Sequence, residues 1–231
     1  MERIGFIGVH DKMDIMLYIA KILTSIGKKV LIVDTTITQK GRYIVPAIKV
    51  TKTCITEFEG FDIAVGVYSY EELEKYMDRE NENIGYDIML VDIDAPETIK
   101  KFDMDKAKLN YFVTAFDAYS LRRGLEILSE LSCTVKLKKV LFTRGSTQEE
   151  EEYLDFLSLG MKIVWAEERI FFPCESEDQT VLIENQMVSK IKFRRLSMQY
   201  KESLIYMAEE IVEPEEKSKI RKVFKQLDKE I

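Results

Sequence analysis

Five short stretches of this chain are apolar along most of their length: RIGFIGV (3–9), KKVLIVD (28–34), YDIMLVDID (86–94), YFVTAF (111–116) and KKVLFTR (138–144). A strand with one wet face alternates apolar and polar residues, whereas a strand covered on both faces reads as a continuous apolar run. Helical patterns separate these runs. Ile15, Met16, Ile19, Ile22, Leu23 and Ile26 recur at helical spacing after the first, and Gly27 suits the helix end. SLRRGLEILSEL (120–131) and an acidic segment around 148–158 repeat the arrangement. The alternation predicts an α/β fold: a three-layer sandwich with a mainly parallel central sheet. CITEF and FDIAVGV, joined at Glu59-Gly60, read as a hairpin. Ser69 and Glu72 have capping-box spacing ahead of YEELEKYM. KIVWA (162–166) reads as a short last strand, and the chain beyond about 177 as mostly helical. TTITQKGRYIVPAIKV (35–50) resembles neither a long helix nor a buried strand.

Composition narrows the function. Of 231 residues, 46% are hydrophobic and 32% charged, a globular balance able to bury a core. The net charge of −7 argues against nucleic-acid binding over the whole surface. Cys54, Cys133 and Cys174 form no CxxC pair, which suits a reducing cytoplasm and carries no zinc signature. Charges at Glu2 and Arg3 do not read as a secretory leader. No apolar run approaches the roughly 20 residues that span a bilayer. The expected location is cytoplasmic, with peripheral membrane contact as an option. No linker divides the chain, so 1–212 reads as one α/β domain and 213–231 as a C-terminal basic amphipathic helix.

In parallel sheets, ligands bind beyond the carboxyl ends of the strands. Those ends hold Gly8 to Lys12, Asp34 to Thr36, Asp92 to Pro96, Ala115 to Asp117 and Thr143-Arg144. In order and spacing, IGVHDKMD, VLIVDTT, YDIMLVDIDAPE and NYFVTAFDAYSLRRGLEILSEL resemble the ParA/MinD branch of the P-loop NTPases. KKVLFTR falls where that family carries an Asn-Arg pair beside the base, and the resemblance runs to about residue 212. It implies a P-loop NTPase-like fold and places a remnant nucleotide site on Gly8, Lys12, Asp34 and Asp92. The resemblance also exposes departures. Ile7 stands at the signature lysine, Asp11 at the glycine before the phosphate lysine, and Met13 at the magnesium-binding hydroxyl. Asp14 replaces a threonine, Thr36 the second aspartate and Thr143 the asparagine.

These departures have physical consequences. A phosphate loop works because bare backbone N–H groups and a helix N-terminus converge on an anion. Asp11 puts a carboxylate there, and like charges about 4 Å apart repel by roughly 4 kcal/mol at an effective dielectric near 20. A methionine thioether is a poor ligand for magnesium, which takes hard oxygens. Asp11 and Asp14 suit a helix N-terminus instead, with Asp14 reaching back weakly toward the Asp11 N–H. The expectation is therefore a pseudo-ATPase that positions a cellular machine: a secretion or pilus apparatus, a division site or a plasmid. No catalytic residue, no metal and no cofactor is expected. The alternative is an active, divergent ATPase switch using ATP and Mg2+ through Lys12, Asp34 and Asp92. A receiver-like module with Asp92 as phosphoacceptor is a third reading. His10, the single histidine, reads as structural, and the aspartates around Asp34, Asp92 and Asp94 as remnants rather than a cation site.

The tail carries a separate signal. Ile220, Val223, Phe224, Leu227 and Ile231 share one helical face. Lys217, Lys219, Arg221, Lys222 and Lys225 crowd its first part with no acid among them. Such a helix can lie on anionic lipid, dock in a partner groove, or pack on its own domain or a dimer mate. Ile220, Val223, Phe224, Leu227, Lys222 and Lys225 are thus candidate membrane or partner contacts. The basic stretch ending in KFRR (189–195) reads as solvated surface. The partners expected are proteins, including a second copy in a homodimer.

Overall fold

The computed structural model describes residues 1–45, 52–79, 85–143 and 148–230. Arg144, Ile231 and the end of 35–50 lie outside them. In chain order the elements are β1 (Glu2–Ile7), α1 (Met13–Ser25), β2 (Val30–Asp34), α2 (Gly41–Ile44), β3 (Cys54–Phe58), β4 (Phe61–Val65), α3 (Tyr70–Arg79), β5 (Ile88–Ile93) and α4 (Pro96–Lys101). A 3-10 turn (Met104–Lys106) precedes β6 (Leu109–Ala115), α5 (Ala118–Ser129), β7 (Val135–Thr143), α6 (Gln148–Leu157) and β8 (Ile163–Pro173). Three helices complete the chain: α7 (Ser176–Val188), α8 (Met198–Ile211) and, after a 3-10 turn (Pro214–Glu216), α9 (Lys217–Leu227).

The eight strands form one sheet in the order β3-β4-β2-β5-β1-β6-β7-β8. β3 runs antiparallel to β4, and every other pair is parallel. The apolar runs follow directly from this arrangement. Ile4, Phe6, Val30 and Ile32 point to the side covered by α1, α7, α8 and α9. Ile7, Leu31, Val33, Met89 and Val91 point to the side covered by α3, α4, α5 and α6. Both faces are dry, so the central strands have no polar face to show. β1 lies between β5 and β6, whereas a receiver-like 2-1-3-4-5 order would put it between the second and third strands. The receiver reading is therefore set aside.

Local chemistry explains the details. Glu59 and Gly60 both take positive φ (53° and 94°), giving the tight β3–β4 hairpin. Ser69 Oγ accepts from Glu72 N at 3.1 Å, while the Glu72 carboxylate accepts from Tyr68 N at 2.9 Å. The box thus closes one residue earlier than its usual form. β8 extends to Pro173, well past the five residues read from sequence. Glu167, Glu168 and Arg169 interrupt its apolar pattern, but an edge strand leaves such side chains in water.

The C-terminal helix is the main correction. Ile220, Phe224 and Leu227 are buried, and Val223 packs against the same cluster. The Phe224 ring meets Phe193 edge-on at 5.2 Å. α9 lies on α1 and α8 and is pinned by Lys201–Asp228 (2.8 Å), Lys28–Glu216 (2.7 Å) and Arg221–Glu209 (2.7 Å) pairs. The face offered as a membrane or partner contact is spent on the chain's own core. Only the cationic side, with Lys222 and Lys225, stays exposed.

Candidate functional site

Residues 8–12 connect β1 to α1 at the carboxyl edge of the sheet, between the ends of β5 and β6, with the end of β2 one strand beyond β5. Gly8 opens the loop with φ 135°, and a Cβ there would come within 2.3 Å of Val113 O. Only glycine fits both constraints. Lys12 then turns inward. Its Nζ donates to Gly8 O at 2.7 Å and forms an ion pair with Asp92 Oδ1 at 2.6 Å. Both side chains are almost wholly buried, at 3% and 6% exposure. Burial pushes the Asp92 carboxyl up to about 7, with Lys12 pulling it down and Asp34 adding to the rise.

Asp34 lies beside Asp92 on the next strand and is fully buried. Its Oδ1 accepts from Thr36 N (3.0 Å) and Thr36 Oγ1 (2.6 Å), and its Oδ2 from Gly41 N (2.9 Å). Asp34 thus organises the turn into α2. The Thr36 hydroxyl in turn accepts from Gln39 N at 3.1 Å. Asp94 Oδ2 accepts from Ile37 N at 3.0 Å, tying the same turn to the end of β5.

Asp11 accepts from Met13 N at 3.3 Å and pairs with Lys40. Asp14 does not reach back to Asp11. Both of its oxygens accept from Gln186 Nε2, at 2.9 and 3.0 Å, joining α1 to α7. Burial raises its carboxyl to about 6. His10 packs its ring on Phe142 at 4.4 Å, with Nδ1 3.5 Å from Ser120 Oγ, and burial lowers its pKa. Gly8, Lys12, Asp34 and Asp92 lie at the ends of β1, β2 and β5, with Lys12 touching both Gly8 and Asp92 and Asp34 beside Asp92. Sequence reasoning missed Lys40 and Gln186, whose only signal is a polar group on a distant segment. Among the described residues, no group of three or more His, Cys, Asp or Glu is placed to hold a metal ion.

The Asp14 geometry carries a pH prediction. A carboxyl raised in the folded state contributes stability below its unfolded pKa of about 3.9, and that contribution is lost as pH rises through the folded value. Asp14→Asn keeps an acceptor for Gln186 without the charge. Its melting temperature is expected to exceed wild type at pH 7–8 and to match it near pH 4. An equal shift at both pH values would contradict this.

No protein-family model matches the chain, and a search of curated proteins found no match. Solved structures do match. A ParA family ATPase from Chlorobium tepidum superposes with a TM-score of 0.58 at 15% identity, covering 90% of this chain and 97% of that one. The chain has a ParA/MinD-like P-loop NTPase fold. MinD in the MinC:MinD cell division complex of Aquifex aeolicus gives 0.50 at 16% identity, covering 82% and 87%. A putative plasmid partition protein from Borrelia burgdorferi, bound to AMPPNP, gives 0.52 at 10% identity, covering 97% and 98%. Among the described residues, no helix is long and apolar enough to cross a membrane.

Proposed function

We propose that this chain is a ParA/MinD-like pseudo-ATPase that acts as a positioning or scaffold protein, with nucleotide binding weak or lost. The observation that carries the reading is the commitment of Lys12. Its ammonium is enclosed between Gly8 O and Asp92, facing inward rather than toward an incoming phosphate. Releasing it would leave a buried carboxylate without its counter-ion. Asp11 and Lys40 hold the loop mouth as an ion pair, so the cation there is already engaged by a carboxylate. Met13 offers no hard oxygen to magnesium. The residues present do not fit a triphosphate with its metal.

Function would then rest on surfaces. MinD is joined to a second protein in the MinC:MinD complex, and a protein partner of this chain, or a second copy, is proposed on that analogy. The retained lysine favours one other reading, a divergent ATPase switch in which nucleotide competes Lys12 away from Asp92. Thermal melting with ATP and Mg2+ separates the two. Nucleotide at 100 times its Kd would stabilise the fold by about 2.7 kcal/mol, a shift of several degrees. No shift at millimolar nucleotide is expected. A saturable shift, with a matching micromolar isotherm by calorimetry, would overturn the proposal.

A further inference from the structure

Between α7 and α8 an acidic protein turns locally basic, with Lys190, Lys192, Arg194 and Arg195 close together in the chain. The turn that begins this segment is closed from within. Ser189 takes a φ of 49°, its N–H donates to Gln186 O at 3.1 Å, and Lys190 N donates to Asn185 O at 3.0 Å. α7 therefore stops and the chain doubles back along it. This returning segment, α7 and the residues after α9 enclose a cavity of about 470 Å³. Cavities of this size hold small molecules. Val181 and Val188 of α7 give it an apolar wall, to which the aliphatic stems of Lys192 and Arg194 add.

Five charged side chains line the cavity, and their pairing decides its sign. Arg195 and Glu184 form an ion pair with each other. Lys192, Arg194 and Glu230 are left, and among the described residues none of the three reaches an oppositely charged side chain. Lys190 lies outside the lining and is held by Glu59 at 3.0 Å. Two uncompensated cations thus face one uncompensated acid.

The floor carries one more signal. Asn185 lines the cavity and is only 8% exposed. Its Nδ2 donates to Tyr18 OH at 2.6 Å and to Lys192 O at 2.9 Å. A backbone carbonyl only accepts, so the amide must turn its NH2 to Lys192 O. Its Oδ1 then meets no donor among the described residues. A nearly buried acceptor left unmet by the chain is open to an N–H or O–H from a ligand.

We propose that this cavity binds a small organic anion with an apolar body. The body lies on Val181 and Val188, the anionic end is held by Lys192 and Arg194 through charge-assisted hydrogen bonds, and Asn185 Oδ1 accepts from an N–H or O–H of the ligand. None of the lining residues belongs to loop 8–12, and neither Asp34 nor Asp92 is among them. The inference is thus independent of whether Lys12 meets nucleotide.

The probe is anilinonaphthalene sulfonate, which combines an aromatic body, an anion and one N–H, titrated into the full chain by fluorescence. Phenylnaphthylamine, the same body without the sulfonate, is the control. Expected is saturable binding of the sulfonate in the micromolar range, with the neutral dye at least tenfold weaker. Lys192→Glu with Arg194→Glu, both at exposed positions, is expected to weaken the sulfonate about tenfold at an unchanged melting temperature. Arg122→Glu, in the apolar groove between α5 and α6, is expected to leave it unchanged. Equal affinity for the neutral dye overturns the proposal, and that comparison needs only the wild-type chain. So does undiminished binding by the Lys192/Arg194 variant, an equal loss with Arg122→Glu, or no binding up to millimolar dye.

Discussion

Replacing Lys12 by methionine is expected to destabilise the free protein by roughly 1–2 kcal/mol at pH 8, because it removes the counter-ion of a buried carboxyl. The ion pair to Asp92 is 2.6 Å long and almost wholly enclosed. The loss has a defined pH dependence. Burial already holds the Asp92 carboxyl up near 7, and removal of the lysine pushes it higher. A raised folded pKa gives a contribution that is complete below the unfolded value near 3.9 and is lost as pH rises toward the folded one. The Lys12→Met deficit should thus be small at pH 5 and grow toward pH 8. Urea melts at the two pH values measure it. The double variant Lys12→Met with Asp92→Leu removes both charges and is expected to recover most of the loss, since well-packed apolar replacements of buried pairs are often neutral or better. A lysine kept only for phosphate would leave the free protein's stability unchanged on replacement. That result would refute the structural role assigned to the pair.

Deleting residues 213–231 is expected to abolish cooperative folding. Three large side chains, Ile220, Phe224 and Leu227, leave the core, and the apolar surfaces of α1 and α8 beneath them become wet. At about 1.5–3 kcal/mol for each buried side chain, the loss is comparable with the 5–15 kcal/mol that holds an ordinary domain together. Phe224→Ala is the milder test, with an expected cost of about 3–5 kcal/mol. Charge reversal of exposed Lys222 and Lys225 should leave stability nearly unchanged. A truncated chain that melts like the intact one would mean that α9 is a detachable tail, as the amphipathic pattern by itself allows.

The sheet was legible because its central strands are apolar on both sides. A run such as YDIMLVDID has few other places to go than between two helical layers. β8 was truncated in the reading because Glu167-Glu168-Arg169 breaks that signature, and only a position at the sheet edge makes those charges harmless. The site was legible as a location. The ends of β1, β2 and β5 meet where the strand order reverses, so Gly8, Lys12, Asp34 and Asp92 had to be neighbours.

What those neighbours do to one another was not legible. Asp14 was read as a weak local cap, yet its partner is Gln186, 172 residues away. Asp11 was read against an incoming phosphate and the helix terminus, yet its partner is Lys40, from the turn before α2. Sequence distance hides such pairs because nothing in the periodicity of one element specifies the polar groups of another. Local pattern therefore determined the layers, the strand ends and the presence of an amphipathic C-terminal helix. Tertiary structure alone decided that Lys12 faces inward and that α9 lies on α1 and α8. Both outcomes turn on which buried charge or apolar face lies opposite, and that is set by packing rather than by the residues adjacent in the chain.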